Sequence, residues 1–320
     1  MNSTIIILVN GEVLANNQKT TIQDQRNNAK LLAESLVPLF LSNYKIVVMH
    51  GNKPQVGFVL FRAELASHVL HNIPLDVCGA DTQGATGYLL SQAFMNVLKK
   101  KDIRRDVACL ITQTVVNNSL PVDTVPLKAI GPRFDREKAE TYRQTRGWDI
   151  IEEPGRGYRR AVPSYPVQEV LGVGQIKKLA DSGDIVIAFG GGGIPVALNE
   201  EGELEGIESV IDTDQVACLV GKQLEAKVML MVVESDEEFS RDGIPISSLQ
   251  CLDFRQLESI IDNSYMQSKH VLNKLRSAVQ FLKNGGEKVV ITTLANLPDT
   301  LQGRSGLYIC NDVNGPITII

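Results

Sequence analysis

Asp184-Ile185-Val186-Ile187-Ala188-Phe189-Gly190-Gly191-Gly192-Gly193-Ile194-Pro195 decides the fold of this 320-residue chain. A short β-branched run reads as a buried strand, and the glycines after it free the backbone for a tight turn. The same pattern recurs upstream. Residues 5–9, Ile-Ile-Ile-Leu-Val, end in Asn10-Gly11, and residues 45–49 end in His50-Gly51-Asn52-Lys53-Pro54. Further strands are expected at 107–116, 227–233 and 287–293. Helical patterns fall at 22–41, 56–69, 86–100, 173–182, 215–224 and 265–283. In the last, Leu272, Leu275, Val279 and Leu282 make a core-facing stripe. Strands alternating with helices predict an α/β protein, a three-layer sandwich around a mainly parallel sheet. Residues 117–166 break the pattern. They are rich in Pro, Gly and Arg, carry one short helix at 136–146, and are expected to project as a subdomain. The chain's last residues, Ile317-Thr318-Ile319-Ile320, are expected to dock on the body.

Composition narrows the function. Hydrophobic residues are 43% and charged residues 22%, which excludes a disordered chain and permits a large core. A net charge of -5 argues against a dedicated nucleic-acid binder. No apolar run reaches membrane-spanning length and no leader pattern opens the chain, so a cytoplasmic protein is expected. The cysteines at 78, 109, 218, 251 and 310 are odd in number and scattered, and read as small buried hydrophobes in a reducing compartment.

In an open α/β sheet, ligands bind outside the carboxyl ends of the strands. Three glycine loops at such ends point to an anionic, phosphorylated ligand reached by backbone N–H groups. Neither GxGxxG after the first strand nor GxxxxGK[ST] occurs, so Rossmann and Walker readings are unsupported. His68 and His71 read as a solvated helix pair with no third metal ligand. His50, within a glycine loop, reads either as a ligand contact or as a core or capping residue. Gly155-Arg156-Gly157-Tyr158-Arg159-Arg160 reads as an internal anion clamp or a subunit contact.

Several ordered motifs carry a resemblance. They are residues 50–57, Pro74-Leu75-Asp76, Thr82-Gln83-Gly84-Ala85-Thr86-Gly87-Tyr88, Lys128-Ala129-Ile130-Gly131-Pro132, the 155–160 segment, 190–196 and Val210-Ile211-Asp212-Thr213-Asp214. From residue 5 to about 310 the chain resembles the carbamate kinases of the amino-acid kinase superfamily. The resemblance implies a lobe at 1–205 for the carbamate or acyl substrate, a lobe at 206–320 for ATP or ADP with Mg2+, and a homodimer. It implies catalytic roles for Lys128, Asp214 and Lys274, and substrate contacts at Gly11, Gly51, Asn52 and Lys53. Nucleotide contacts are expected at Gly191, Gly192, Thr213 and Asp236, with no metal-binding side-chain cluster.

The chain departs from that family at the reactive centre. Gly-Gly-Asn has become Val9-Asn10-Gly11, Gly-Asn-Gly-Pro has become Gly51-Asn52-Lys53-Pro54, and Asp-Lys-Asp has become Asp212-Thr213-Asp214. Thr-Gly-Val-Asp has become Val233-Glu234-Ser235-Asp236, and Gly-Ser-Met-x-Pro-Lys has become Lys269-His270-Val271-Leu272-Asn273-Lys274. Side chains at Val9 and Asn10 would obstruct the transferring oxygens. Losing a charge at Thr213, gaining a negative one at Glu234 and gaining a positive one at Lys53 leaves the site one charge more negative. A like charge at about 4 Å costs roughly 4 kcal/mol at an effective dielectric near 20. The expected consequence is impaired phosphoryl transfer between ATP and carbamate, with a role in binding or in regulating a protein partner. The alternatives are an active enzyme of arginine, purine or allantoin breakdown, in which Lys53 and Lys274 replace the missing charge, or a kinase of another small acid.

Overall fold

The computed structural model describes residues 3–15, 20–153, 155–248, 250–263, 268–311 and 319. Strand β1 is Thr4–Val9, followed by helices α1 (Gly11–Leu14), α2 (Ile22–Ser35) and α3 (Val37–Leu41). Then come β2 (Lys45–His50), α4 (Lys53–Leu65), α5 (Leu75–Lys100), β3 (Val107–Cys109) and β4 (Gln113–Val116). The projecting segment holds β5 (Leu127–Phe134), α6 (Arg136–Arg146), β6 (Asp149–Glu153) and β7 (Gly157–Pro163). The chain returns through β8 (Val167–Val170), α7 (Val173–Ser182), β9 (Ile185–Ile187), β10 (Ile194–Leu198) and β11 (Leu204–Gly206). It continues with α8 (Thr213–Gln223), β12 (Val228–Val233), α9 (Glu237–Arg241), β13 (Gln250–Asp253) and α10 (Phe254–Asn263). It closes with α11 (Lys269–Lys283), β14 (Lys288–Thr293), α12 (Leu297–Leu301) and β15 (Leu307–Cys310).

The main sheet has eight strands in the order β13-β15-β14-β12-β1-β2-β9-β3, and only the β14–β15 pairing is antiparallel. All six residues of β1 are buried, because both faces of the sheet are covered. Ile6, Leu8, Val47, Met49, Met229 and Met231 pack into one core with Val216, Val220, Leu275 and Phe281 of α8 and α11. Their neighbours Ile5, Ile7, Val9, Ile46, Val48 and Leu230 pack into the other core, with Leu32, Leu90 and Phe94 of α2 and α5. The two-residue period of a strand thus produces the three layers. A second sheet runs β11-β10-β4-β8, and the projecting segment is a separate antiparallel sheet, β5-β7-β6, bearing α6.

Several expected boundaries move for identifiable reasons. The 22–41 helix is two helices, because Pro38 in the first turn of α3 has no N–H with which to continue α2. A capping box between Thr21 and Asp24 fixes the start of α2. The 56–69 helix starts at Lys53, with Pro54 in its first turn, and ends at Leu65. His68 and His71 therefore lie beyond it, both exposed, and are no helix pair. Helix α5 begins at Leu75, well before the expected start at 86, and runs through Gly79 and Gly84. The expected strand at 107–116 divides: Val107–Cys109 joins the main sheet and Gln113–Val116 joins the second. Cys109 is exposed and Cys251 is half-buried, so the buried reading fails for these two. Leu272 is only half-buried, although Leu275, Val279 and Leu282 face the core. Residues 264–267 and most of the terminal Ile317-Thr318-Ile319-Ile320 lie outside the described residues. Ile319 itself is buried, and its carbonyl accepts a hydrogen bond from Tyr44 Oη at 3.1 Å.

Candidate functional site

At β1 the chain's path through the sheet reverses. Strands β2, β9 and β3 lie to one side and β12 and β14 to the other, the topological switch point at which α/β sheets bind ligands. The loops after β1, β2, β9 and β12 all emerge at this edge, since these strands are mutually parallel.

The glycines here let loops approach one another. A Cβ on Gly11 would stand 2.8 Å from the Gly51 carbonyl carbon, and one on Gly51 would stand 2.7 Å from Gly11 N. Gly191, at φ +67°, would place a Cβ 2.3–2.5 Å from the Asn52 carboxamide. A Cβ on Gly190 would meet the His50 imidazole at 2.5 Å. The 190–193 turn is held from outside as well. Gln83 Nε2 donates to Gly190 O at 3.0 Å, Thr114 Oγ1 donates to Gly192 O at 2.7 Å, and Phe189 N donates to Thr112 Oγ1 at 2.8 Å. Gly191 therefore seats Asn52, whose Nδ2 donates to Thr82 Oγ1 at 2.7 Å. Gly192 packs against Ile211. Burial holds His50 neutral, its pKa pushed down to about 4, which fits the core reading.

A charged cluster lies beside these loops. Asp212 caps α8, its Oδ1 accepting Asp214 N at 3.1 Å while Oδ2 accepts Lys128 Nζ of β5 at 2.7 Å. Lys274 of α11, almost fully buried, donates to both oxygens of Asp214 at 3.0 and 3.1 Å. Lys53 opens α4 and is partly buried. Desolvation holds its pKa below the usual lysine value, and the charges acting on it are Asp212 first, then Lys128, Asp214 and Lys274. Among the described residues no carboxylate comes within 4 Å of its ammonium. Burial disfavours the Asp212 carboxylate, but Lys53, Lys128 and Lys274 outweigh it and hold the pKa far below the usual range. Among the described residues three ammoniums thus face two carboxylates, and Lys53 has no ion-pair partner. Such a cluster attracts a phosphoryl anion and can neutralise charge developing on it.

The expected residues divide accordingly. Lys53, Lys128, Asp214 and Lys274 come together, with Thr213 buried at the start of α8 between the two aspartates. Gly11, Gly51, Asn52, Gly191 and Gly192 form the adjoining loops. Asp236 is tied elsewhere, its Oδ1 accepting Ile246 N at 2.6 Å. Val9 does not stand as the expected obstruction: its side chain is fully buried in the hydrophobic core with Ile5, Ile7 and Leu14. Glu234 is corrected too, because it is no isolated negative charge. It meets Arg156 at 3.3 Å and hydrogen-bonds Glu12. Burial and the neighbouring Glu12 push its pKa up to about 8, so it is mostly protonated at neutral pH. The glycine-rich 155–160 segment does form an internal clamp, and its acidic partner Glu12 was missed. Glu12 directly follows the loop glycine Gly11, and that position was its only sequence signal. Among the described residues no group of three or more His, Cys, Asp or Glu side chains could hold a metal ion.

The sequence profile of the Amino acid kinase family matches residues 3–293. A carbamate kinase of Pyrococcus horikoshii is 32% identical, over 97% of this chain and 99% of the relative. The carbamate kinase-like protein YahI of Escherichia coli is 33% identical over 97% and 99%. The carbamate kinase of Giardia lamblia bound to citric acid superposes with a TM-score of 0.86 at 28% identity, over 97% and 99% of the two chains. The same enzyme bound to AMP-PNP superposes with a TM-score of 0.80 at 27% identity. Matches of this extent place the chain in the amino acid kinase family and, within it, among the carbamate kinases.

Proposed function

We propose that the chain catalyses reversible phosphoryl transfer between ATP and carbamate, giving ADP and carbamoyl phosphate. One observation carries the reading: the unpaired Lys53 ammonium beside the Lys128–Asp212 and Lys274–Asp214 pairs. It supplies a positive charge where the family's lysine has become Thr213, and Glu234 no longer counters it. Phosphoryl transfer depends mainly on positioning and charge stabilisation, which this cluster can provide. In this reading 1–205 holds the small acyl anion and 206–320 holds the nucleotide. The AMP-PNP complex of the Giardia relative supports a nucleotide site. Asp212 and Asp214 are the carboxylates that would face a Mg2+ carried in by ATP, since such an ion is held by one or two carboxylates plus phosphates. A second reading, weak turnover with a binding role, is favoured by Asn10. That residue puts a side chain where the family has glycine, and the side chain makes no capping hydrogen bond.

The test is ATP formation from ADP and carbamoyl phosphate by the purified chain with Mg2+. Saturable turnover at about 1 per second or faster is expected. No ATP above background, with carbamoyl phosphate still binding, would leave the second reading.

A homodimer belongs to the same proposal. Val77, Tyr88 and Met95 lie exposed along one stripe of α5, at spacings close to whole helical turns, with Ile111, Leu198 and Leu204 also exposed. Among the described residues no helix is long and apolar enough to cross a membrane, and a cytoplasmic setting is part of the proposal. Sedimentation is expected to give twice the chain mass, and a species of 35.1 kDa at micromolar concentration would exclude the dimer.

A further inference from the structure

Three guanidiniums of the projecting subdomain converge on one carboxylate of the main body. Glu12, in the first turn of α1, meets Arg133 of β5 at 3.0 Å, Arg159 of β7 at 3.5 Å and Arg156 of the β6–β7 turn at 3.2 Å. Glu153 at the end of β6 takes second contacts with Arg133 at 2.8 Å and Arg159 at 3.2 Å. Glu234, just past β12, takes Arg156 at 3.3 Å. Helix α1 and the segment just past β12 therefore grip the subdomain together. A separate attachment runs to α4, where Gly57 abuts Gly131 and Phe61 packs on Trp148. Strand β5, gripped at Arg133, also carries Lys128.

We propose that Glu12 is a positioning residue: it clasps the projecting subdomain over the site and so sets Lys128 against Asp212, and Glu234 makes the clasp releasable. The role assigned to Lys128 rests on the function proposed above; the clasp itself does not. The charged groups facing Glu234 are Glu12 and Arg156, and those facing Glu12 are Arg133, Arg156, Arg159 and Glu234. Burial works against the Glu12 carboxylate, but its hydrogen bond with Glu234 and the three arginines hold its pKa down to about 2. Glu234 keeps its proton to about pH 8 in the closed clasp, against an ordinary value of 4.5. A raised pKa means that closing retains a proton. The closed form is therefore weakened, by at most about tenfold per pH unit, as pH climbs from the ordinary value to about 8, and no further above it. Once Glu234 ionises, it can no longer donate to Glu12 and stands as a like charge beside it.

Hydrogen exchange of the β6 and β7 amides, corrected for intrinsic rate, reads the opening equilibrium directly. In the full-length wild type, protection should fall at least ~10-fold between pH 6 and 8 and level off above. Glu234→Gln keeps a neutral donor and should remove that dependence. Glu12→Gln should lose at least ~10-fold protection at pH 6, and Glu12→Asp should recover part of it. In ATP formation from carbamoyl phosphate, Glu12→Gln should lower kcat at least ~10-fold, with Glu12→Asp again in between. The same pH slope in Glu234→Gln as in wild type, or wild-type protection in Glu12→Gln, overturns the clasp. Loss of protection with unchanged kcat and KM overturns the positioning role. If wild type makes no ATP, the proposed function falls, and protection alone decides the clasp.

Discussion

Replacing Lys53 by glutamine is expected to lower kcat/KM for carbamoyl phosphate at least ~100-fold, a loss of about 2.7 kcal/mol of transition-state stabilisation. The reason is the asymmetry within the cluster. Lys128 and Lys274 are each held by an aspartate at 2.7 to 3.1 Å, so much of their field is already compensated. Lys53 has no carboxylate within 4 Å among the described residues, and its charge is the one left for an incoming phosphoryl group. Stability should move the other way. Burial lowers the Lys53 pKa, so the unfolded chain holds this proton more tightly than the folded one. The charge therefore opposes folding until pH rises through the ordinary lysine range, and removing it should leave Tm unchanged or higher. Lys53→Arg keeps its charge at every working pH and should abolish any alkaline loss of substrate affinity that comes from Lys53. Steady-state kinetics and a melting curve on the same preparations check both statements. Wild-type kcat/KM in Lys53→Gln would remove Lys53 from the site.

Gly57→Ala is expected to destabilise the fold strongly. An ideal Cβ there lies 2.2 Å from both the Cα and the N of Gly131, and 2.8 Å from the Ile130 carbonyl carbon. These are all backbone atoms, so no side-chain rotamer can relieve the overlap and β5 must move as a unit. Overpacking of this kind costs about 1–3 kcal/mol or more. The gain in helix propensity from glycine to alanine, about 1 kcal/mol, cannot offset a contact of that length. A lower midpoint in urea at unchanged m is expected. Turnover should fall as well, because the displaced strand carries Lys128 and Arg133. Gly84→Ala on α5 is the matched control: no atom lies within 4 Å of its Cβ, so propensity acts alone and stability should rise by roughly 0.5–1 kcal/mol. Equal midpoints for the two variants would show that the α4–β5 contact can open to admit a methyl group at no cost.

Where sequence reading and structure part company, the cause is a neighbour distant in the chain. The run at 107–116 is apolar enough for one long strand, yet Thr112 is claimed by Gln83, whose Oε1 accepts its N–H at 2.9 Å. The strand breaks there and its second half enters another sheet. The expected helix at 86–100 starts earlier, at Leu75, because the residues before 86 pack against partners that local pattern does not reveal. Cys78, for example, lies buried beside Ile130 and Val162 of the projecting subdomain. The charge reading of Glu234 failed in the same way. Its effect depends on Glu12 and Arg156, which are 222 and 78 positions away in the sequence.

By itself the sequence determined the layered α/β architecture, because strand and helix periods are local and the strands are apolar on both faces. It also set apart the Pro-, Gly- and Arg-rich segment at 117–166 and the glycine loops after the strands, whereas Lys128, Asp214 and Lys274 entered only through the family resemblance. Only the tertiary structure decided which charges are paired and which is free. Lys128 and Asp212 are 84 positions apart, and Lys274 and Asp214 are 60 apart. Whether a lysine is neutralised, or a glutamate keeps its proton, depends on distances of a few ångströms and on burial. Those are set when parallel strands from both halves of the chain meet at β1, and no local pattern encodes them.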